Sequence, residues 1–402
     1  QDSCKDHEIP VSLTSKRNAN LVKRKNPSMD VTRIHTEEEE ISNKSFDEIC
    51  GSIFRTVGIA YRPYHGYISL IVSILGVILN SFVILILRDK KLRSPFYSLL
   101  SALAIADSLV MLEYIPWCIH FYELFSIRNL EDIHTFSWAC FNLFHAFFSQ
   151  VFHTYSILLT LSLAFWRYIF LKTIRKRQFG RALSYFVITG VFICSVILCI
   201  PMFVNIAIVK KNITIDIASE NKTEYVVYTV DVSEKGQKNN QFLYKVSLVM
   251  YGVVVKLLPC IILTGLTIWL VRNLLESNKF KAQLSLDFTS TAHRSSGNAL
   301  TRYGNRKKDC RTKLLIGINV IFLVTEFPQG IISLYSAIIG YRFFTDCHNQ
   351  LGEIFDILGL FNSAVNFIVY CLMSRTFEEH ASNLVSNIIY SCQFSRANSF
   401  GK

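Results

Sequence analysis

The sequence predicts an all-α membrane protein: a seven-transmembrane helix bundle, N-terminus outside, with a short amphipathic helix after the seventh span. Three observations predict it. Of 402 residues, 51% are hydrophobic and only 18% charged, against about 25% charge in soluble chains. The apolar residues are gathered in seven blocks of more than 20 residues, which suits membrane spans better than a soluble core. Lys and Arg cluster in alternate connections between the blocks. A single soluble domain, a disordered chain and a secreted disulfide scaffold are all disfavoured.

The blocks follow in order. Gly66–Leu87 carries no charge, and Phe96–Ile119 only Asp107 and Glu113. Ala139–Phe165 has two histidines but no Lys, Arg or acid, and Ala182–Ile208 is uncharged. Val246–Val271 contains only Lys256, Leu314–Ile339 only Glu326, and Gly352–Met373 Glu353 and Asp356. At about 1.5 Å of rise per residue, each can cross about 30 Å of hydrocarbon. Backbone polar groups in lipid must be paired internally, so the spans are helical.

Orientation follows from the basic residues at the span ends. The first connection holds Arg88, Lys90, Lys91 and Arg93. The third holds Lys172, Arg175, Lys176, Arg177 and Arg181. The fifth, about 272–313, holds ten basic residues against Glu276, Asp287 and Asp309. These connections face the cytoplasm, so the net charge of +12 is a topology signal and nucleic-acid binding is an unnecessary reading of it. The sequons at Asn43, Asn212 and Asn221 all fall outside, as glycosylation requires.

Residues 1–65 are polar and read as a disordered extracellular tail. The chain starts at Gln1 without an apolar signal core, as a trimmed or partial product would. Residues 66–373 form the seven-helix bundle, whose polar fifth connection reads as flexible around Ser277–Asn305. Residues 374–402 form a cytoplasmic tail, amphipathic enough to about Ile389 for a membrane-surface helix. No internal repeat, nucleotide-binding glycine loop or zinc pattern is present.

Motifs within the blocks narrow the reading. Asn80 ends Gly-Val-Ile-Leu-Asn, and Asp107 ends Leu-Ala-Ile-Ala-Asp. The third span closes on Phe165-Trp166-Arg167-Tyr168. The fifth has Lys256-Leu-Leu-Pro259, and the sixth Thr325-Glu326-Phe327-Pro328-Gln329-Gly330. The seventh has Asn362-Ser363 and Asn366-Phe-Ile-Val-Tyr370. With these motifs the chain resembles a rhodopsin-like (class A) G-protein-coupled receptor. Trp-Arg-Tyr together with Thr-Glu-Phe-Pro-Gln-Gly is similar to the myosuppressin-receptor-related peptide receptors, including the nematode serpentine class w.

That resemblance implies a multi-pass plasma-membrane receptor that passes extracellular ligand binding to a heterotrimeric G protein. The expected ligand is a neuropeptide, FMRFamide-like or myosuppressin-like, ending in Arg-Phe-amide. It implies coupling and activation roles for Arg167, Tyr168, Pro328, Asn366 and Tyr370, and an allosteric sodium site at Asp107, Ser156, Asn362 and Asn366. A hydrated polar cluster without an ion is the alternative there. The family's usual bridge from the third span to the second outer loop cannot form, because Pro201–Tyr244 lacks cysteine. Among the outer cysteines, Cys50–Cys347 and Cys140–Cys347 both remain open. An opsin is disfavoured by Leu360, where a retinal-binding Lys is expected, and a monoamine receptor by Ser149, where those receptors have Asp.

Charges inside a bilayer cost about 2.5–3.5 kcal/mol each on insertion scales and face the bundle interior. Lys256 and Glu326 lie three and two residues before prolines. With Pro259 and Pro328 at similar depth, the two side chains meet, as a latch or as a static structural pair. Glu113, Glu353 and Asp356 make the outer cavity acidic and favour a guanidinium. The alternative is that these carboxylates pair with His145, His153 or Arg342. Candidate ligand contacts are therefore Glu113, Gln150, His153, Lys256, Glu326, Gln329, Glu353 and Asp356. The competing functions are a chemosensory receptor of the same fold and, far behind, a transporter. No nucleophile–base–orienter set can be assembled, so an enzyme is not expected.

Overall fold

The computed structural model describes residues 52–89, 94–123, 130–172, 181–218, 221–233, 242–289, 298–340, 343, 347–373, 379–383 and 386. Among them, seven helices are long and apolar enough to cross a membrane. The first membrane helix runs Ser52–Leu87 and the second Pro95–Cys118, with Pro95 at its start, where the missing N–H costs nothing. The third runs Phe136–Lys172, the fourth Arg181–Asn205 and the sixth Asn298–Ile339. The seventh runs Asn349–Met373. The fifth is composite: Phe242–Val249, a wide π-helical segment Met250–Leu257, and Leu258–Thr289.

Proline explains the π segments. Pro259 has no N–H to donate, so the ladder before it loosens, and the Leu258 N–H reaches five residues back to the Val253 carbonyl. Pro116 precedes a second π turn, Ile119–Glu123, at the outer end of the second helix. The first of these segments carries Lys256, and its extra width turns that side chain into the bundle.

Two features go beyond or against the sequence expectations. The second outer loop is a β-hairpin, β1 Ile206–Ala218 with β2 Asn221–Val232, antiparallel from Ile206 opposite Val232 to Ala218 opposite Asn221. Its β-branched runs favour extended chain. The region expected to be flexible at Ser277–Asn305 is instead helical to Thr289 and again from Asn298, where Leu, Lys, Ala and Gln are good helix formers. The tail expected to be disordered lies outside the described residues. Of the helix expected after the seventh span, residues 379–383 are described and helical. There Ala381 is buried in the cytoplasmic-side core with Leu99, Leu103 and Leu163.

The bundle packs closely where glycine allows it. A Cβ on Gly252 would meet Ser333 Cβ at 2.9 Å and the Leu334 backbone N at 3.1 Å. One on Gly330 would meet Leu257 Cδ2 at 2.9 Å and Lys256 Cβ at 3.0 Å. The two glycines therefore set the spacing between the fifth and sixth helices beside Lys256. The fourth helix is tied to the fifth by Asn205, whose amide donates to the Leu243 carbonyl (3.0 Å) and to Ser247 Oγ (2.7 Å).

Candidate functional site

The polar interior has two levels. The deeper one centres on Asp107, 1% exposed. Ser156 Oγ donates to Oδ1 and Asn366 Nδ2 to Oδ2, both at 2.7 Å. Asn80 Nδ2 donates to the Ser363 carbonyl at 3.0 Å and so joins the first helix to the seventh. Ser363, not Asn362, stands beside the carboxylate. Asn362 is half-buried and donates no hydrogen bond to Asp107. A carboxylate and a hydroxyl are oxygen donors suited to a hard monovalent cation. Among the described residues, no three His, Cys, Asp or Glu side chains are grouped to hold a metal ion.

Nearer the outside, Lys256 and Glu326 meet as their proline spacing predicts. The ammonium donates to Glu326 Oε2, and the two side chains are 0% and 1% exposed. His153 Nε2 joins them, 3.2 Å from the same oxygen and 2.7 Å from Lys256 Nζ. Tyr251 lies beneath the ammonium, 5.3 Å from nitrogen to ring centroid. Glu326 Oε1 is buried without a hydrogen-bond partner among the described residues. The triad joins the third, fifth and sixth helices at one point. Gln150 turns away from it and donates to Thr154 Oγ1 at 3.2 Å; Gln329 is half-buried.

The outer carboxylates are not equivalent. Glu113 holds His145 Nδ1 at 2.8 Å from both its oxygens. His145 also stacks on Trp117, ring centroids 4.4 Å apart and 12° from parallel. Glu353 receives Arg62 Nε at 3.3 Å and the Tyr122 hydroxyl at 3.4 Å. Asp356, one turn further along the same face, has neither a hydrogen-bond nor an ion-pair partner among the described residues, and its side chain is exposed. Pairing of Glu113 with His145 thus replaces the open contact expected there. Arg342 lies outside the described residues.

Sequence reasoning missed Arg62 and Tyr122. Both sit beyond the charge-free blocks, on helix ends that extend further than hydropathy suggests. The signal for Arg62 was its place in Ile59-Ala-Tyr-Arg-Pro, an apolar lead-in to the first span.

The outer rim is built without the usual bridge. The Tyr228 N–H donates to the His134 carbonyl at 2.9 Å, joining the hairpin to the first outer loop. Val227 is fully buried, and Phe136 meets the Tyr228 ring edge-on at 5.5 Å. His120 stacks on Trp138 at 3.4 Å and donates to the Ile133 carbonyl at 3.0 Å. Burial and neighbouring His120 lower the pKa of His134. Cys140 is free, which corrects the open pairing Cys140–Cys347. Cys347 is disulfide-bonded; Cys4 and Cys50 lie outside the described residues. Beside it, burial pushes the His348 imidazole down to about 4, and its Nδ1 lies 3.3 Å from Ser336 Oγ.

On the cytoplasmic side Tyr168 packs against Trp269, centroids 4.5 Å apart. The side chains of Arg167 and Tyr370 lie outside the described residues. Pro328 is exposed within the sixth helix. Asn212 is exposed on β1, opposite Val226, where a glycan has room. Asn43 and the side chain of Asn221 are outside the described residues.

Comparison with known proteins agrees with this architecture. Residues 67–387 match the family described as serpentine type 7TM GPCR chemoreceptor Srw. The chain is 28% identical to the G-protein coupled receptor dmsr-1 of Caenorhabditis elegans, over 87% of this chain and 72% of that protein. It is 23% identical to the Sex peptide receptor of Drosophila melanogaster, over 79% of this chain and 71% of that protein. The crystal structure of squid rhodopsin matches with a TM-score of 0.59 at 16% identity, covering 83% of this chain and 87% of that one. The rhodopsin likeness carries the fold alone.

Proposed function

Since the chain belongs to the Srw family of serpentine G-protein-coupled receptors, and is thus a multi-pass plasma-membrane receptor, we propose that its agonist is a secreted neuropeptide with an amidated Arg-Phe end. The observation that carries this reading is the cluster of acidic and aromatic side chains at the outer ends of the helices. Carboxylates from the second and seventh helices stand among Tyr114, Trp117 and Tyr122, a lining that suits a cation followed by an aromatic side chain. A relative whose name makes it a peptide receptor supports the same class.

Signalling is a population shift. The agonist binds the active conformer more tightly, and the sixth helix moves to open the cytoplasmic face to a heterotrimeric G protein. In this reading the Lys256–Glu326–His153 triad holds the third, fifth and sixth helices in the inactive arrangement. Arg167 then meets the G protein, with Tyr370 rotating beneath it. The Asp107 cluster fits sodium by its donor chemistry, and the ion would favour the inactive packing of the second, third and seventh helices.

The test is a library of amidated peptides applied to cells expressing the full chain with a promiscuous G protein, read by calcium. Responses at nanomolar peptide, lost on truncation of the amidated end, are expected. Silence across the library with receptor confirmed at the surface would transfer the assignment to a chemosensory ligand.

A further inference from the structure

We infer that Asp356, alone among Glu113, Glu326, Glu353 and Asp356, is the counter-ion for a cationic group of the ligand, and that a guanidinium fits it best. This rests on the peptide-receptor reading and assigns the residue that reads the peptide's charge.

Three of the four carboxylates already hold partners. Glu113 is bonded through both oxygens to His145, Glu353 to Arg62 and Tyr122, and Glu326 to Lys256 and His153. A ligand cation competing for any of these must first displace a protein donor. At Asp356 none stands among the described residues.

Its exposure is internal. Glu353 and Leu360 lie on the same helix face, three residues before and four after. Glu353 reaches across to the first and second helices. Leu360, 3% exposed, packs with Met111, Tyr114 and Cys118. The lipid face of this helix is marked elsewhere, by Phe361 at 51% and Ile368 at 46% exposure. Asp356 therefore lies on the face of the seventh helix that is turned toward the first and second helices. Tyr61, Tyr114 and Tyr122 lie within its electrostatic reach, as do His145 and Lys256.

The lining explains the choice of cation. An unpaired carboxylate inside a bundle is unfavourable because its charge is only partly solvated. A guanidinium presents a planar fork to the two oxygens, while its face lies on the tyrosine rings. Lysine would satisfy the charge and leave the rings less well covered.

The experiment has an arm that needs no agonist. The purified full-length receptor is melted as wild type and as Asp356→Asn, Glu353→Gln and Glu113→Gln. Removing an unpaired charge should raise Tm by roughly 1–3 °C, whereas the two paired carboxylates should lower it when neutralised. Millimolar arginine amide should raise the wild-type Tm and leave Asp356→Asn unmoved; citrulline amide should move neither. A fall in Tm for Asp356→Asn, or an equal response to both amides, overturns the assignment.

The second arm uses an activating peptide with Arg, Lys or citrulline at its basic position. Asp356→Asn should raise EC50 at least 30-fold for Arg and leave citrulline within 3-fold. Equal losses for all three peptides overturn the inference. If no library peptide activates wild type, the peptide reading fails, and the melting arm still decides whether Asp356 takes a guanidinium.

Discussion

Lys256 on the fifth membrane helix places its ammonium against the carboxylate of Glu326 on the sixth, and neither exposes more than 1% of its side chain. Buried pairs of this kind contribute little net stability, because desolvation offsets the attraction, but breaking one strands a charge. Glu326→Gln or Lys256→Met alone should cost about 3–5 kcal/mol, read as a large fall in Tm. The double variant Lys256→Met/Glu326→Leu should recover most of it. If the triad is the latch, the double variant also raises basal signalling, measured as agonist-free calcium or nucleotide exchange.

The spacing of the same two helices depends on glycine. A methyl group at Gly330 would stand 2.9–3.0 Å from Leu257 and 3.0 Å from Lys256 Cβ. Gly330→Ala should force the helices apart and cost about 1–3 kcal/mol. Gly190→Ala in the fourth helix, where nothing lies within 4 Å, is the control and should leave Tm unchanged or slightly raised.

His348 gives a pH dependence outside the membrane spans. The folded protein keeps its imidazole neutral to about 4, while the unfolded chain protonates near the ordinary 6.5. Below that value the unfolded chain takes up the extra proton, so stability is full above about pH 6.5 and falls as pH drops toward 4. The loss from this group between pH 7.5 and 5 should be about 2 kcal/mol. Melting curves of wild type and His348→Asn at the two values test it; the variant should show the shallower dependence.

Arg167→Ala is expected to abolish G-protein activation while sparing agonist affinity. Radioligand binding beside nucleotide exchange separates the two. Loss of both at normal surface expression would count against the coupling role.

The spans were legible because lipid forbids scattered charge, so seven apolar blocks announce themselves without any tertiary information. The meeting of Lys256 with Glu326 was legible for a related reason, since each is tied to a proline at similar depth. The pairing of Glu113 with His145 was only one open alternative, because it depends on the rotational setting of the second helix against the third. Arg62 was hidden by the extension of the first helix beyond its hydropathic block. The hairpin was hidden differently. Its β-branched runs, Ile213-Thr-Ile215 and Tyr225-Val-Val-Tyr228, are local signals of extended chain, whereas the charges, sequons and missing cysteine of the same segment carry no information on strand pairing.

The attachment of that hairpin has a consequence for how the receptor should be handled. The link from Tyr228 to the His134 carbonyl is a backbone hydrogen bond backed by the buried Val227. Sulfur chemistry plays no part in it, so reduction of the covalent bridge at Cys347 would leave the hairpin's seat in place. Redox conditions and hairpin position are therefore independent variables, and a proline at Tyr228, which removes the donating N–H, loosens the seat at any redox potential.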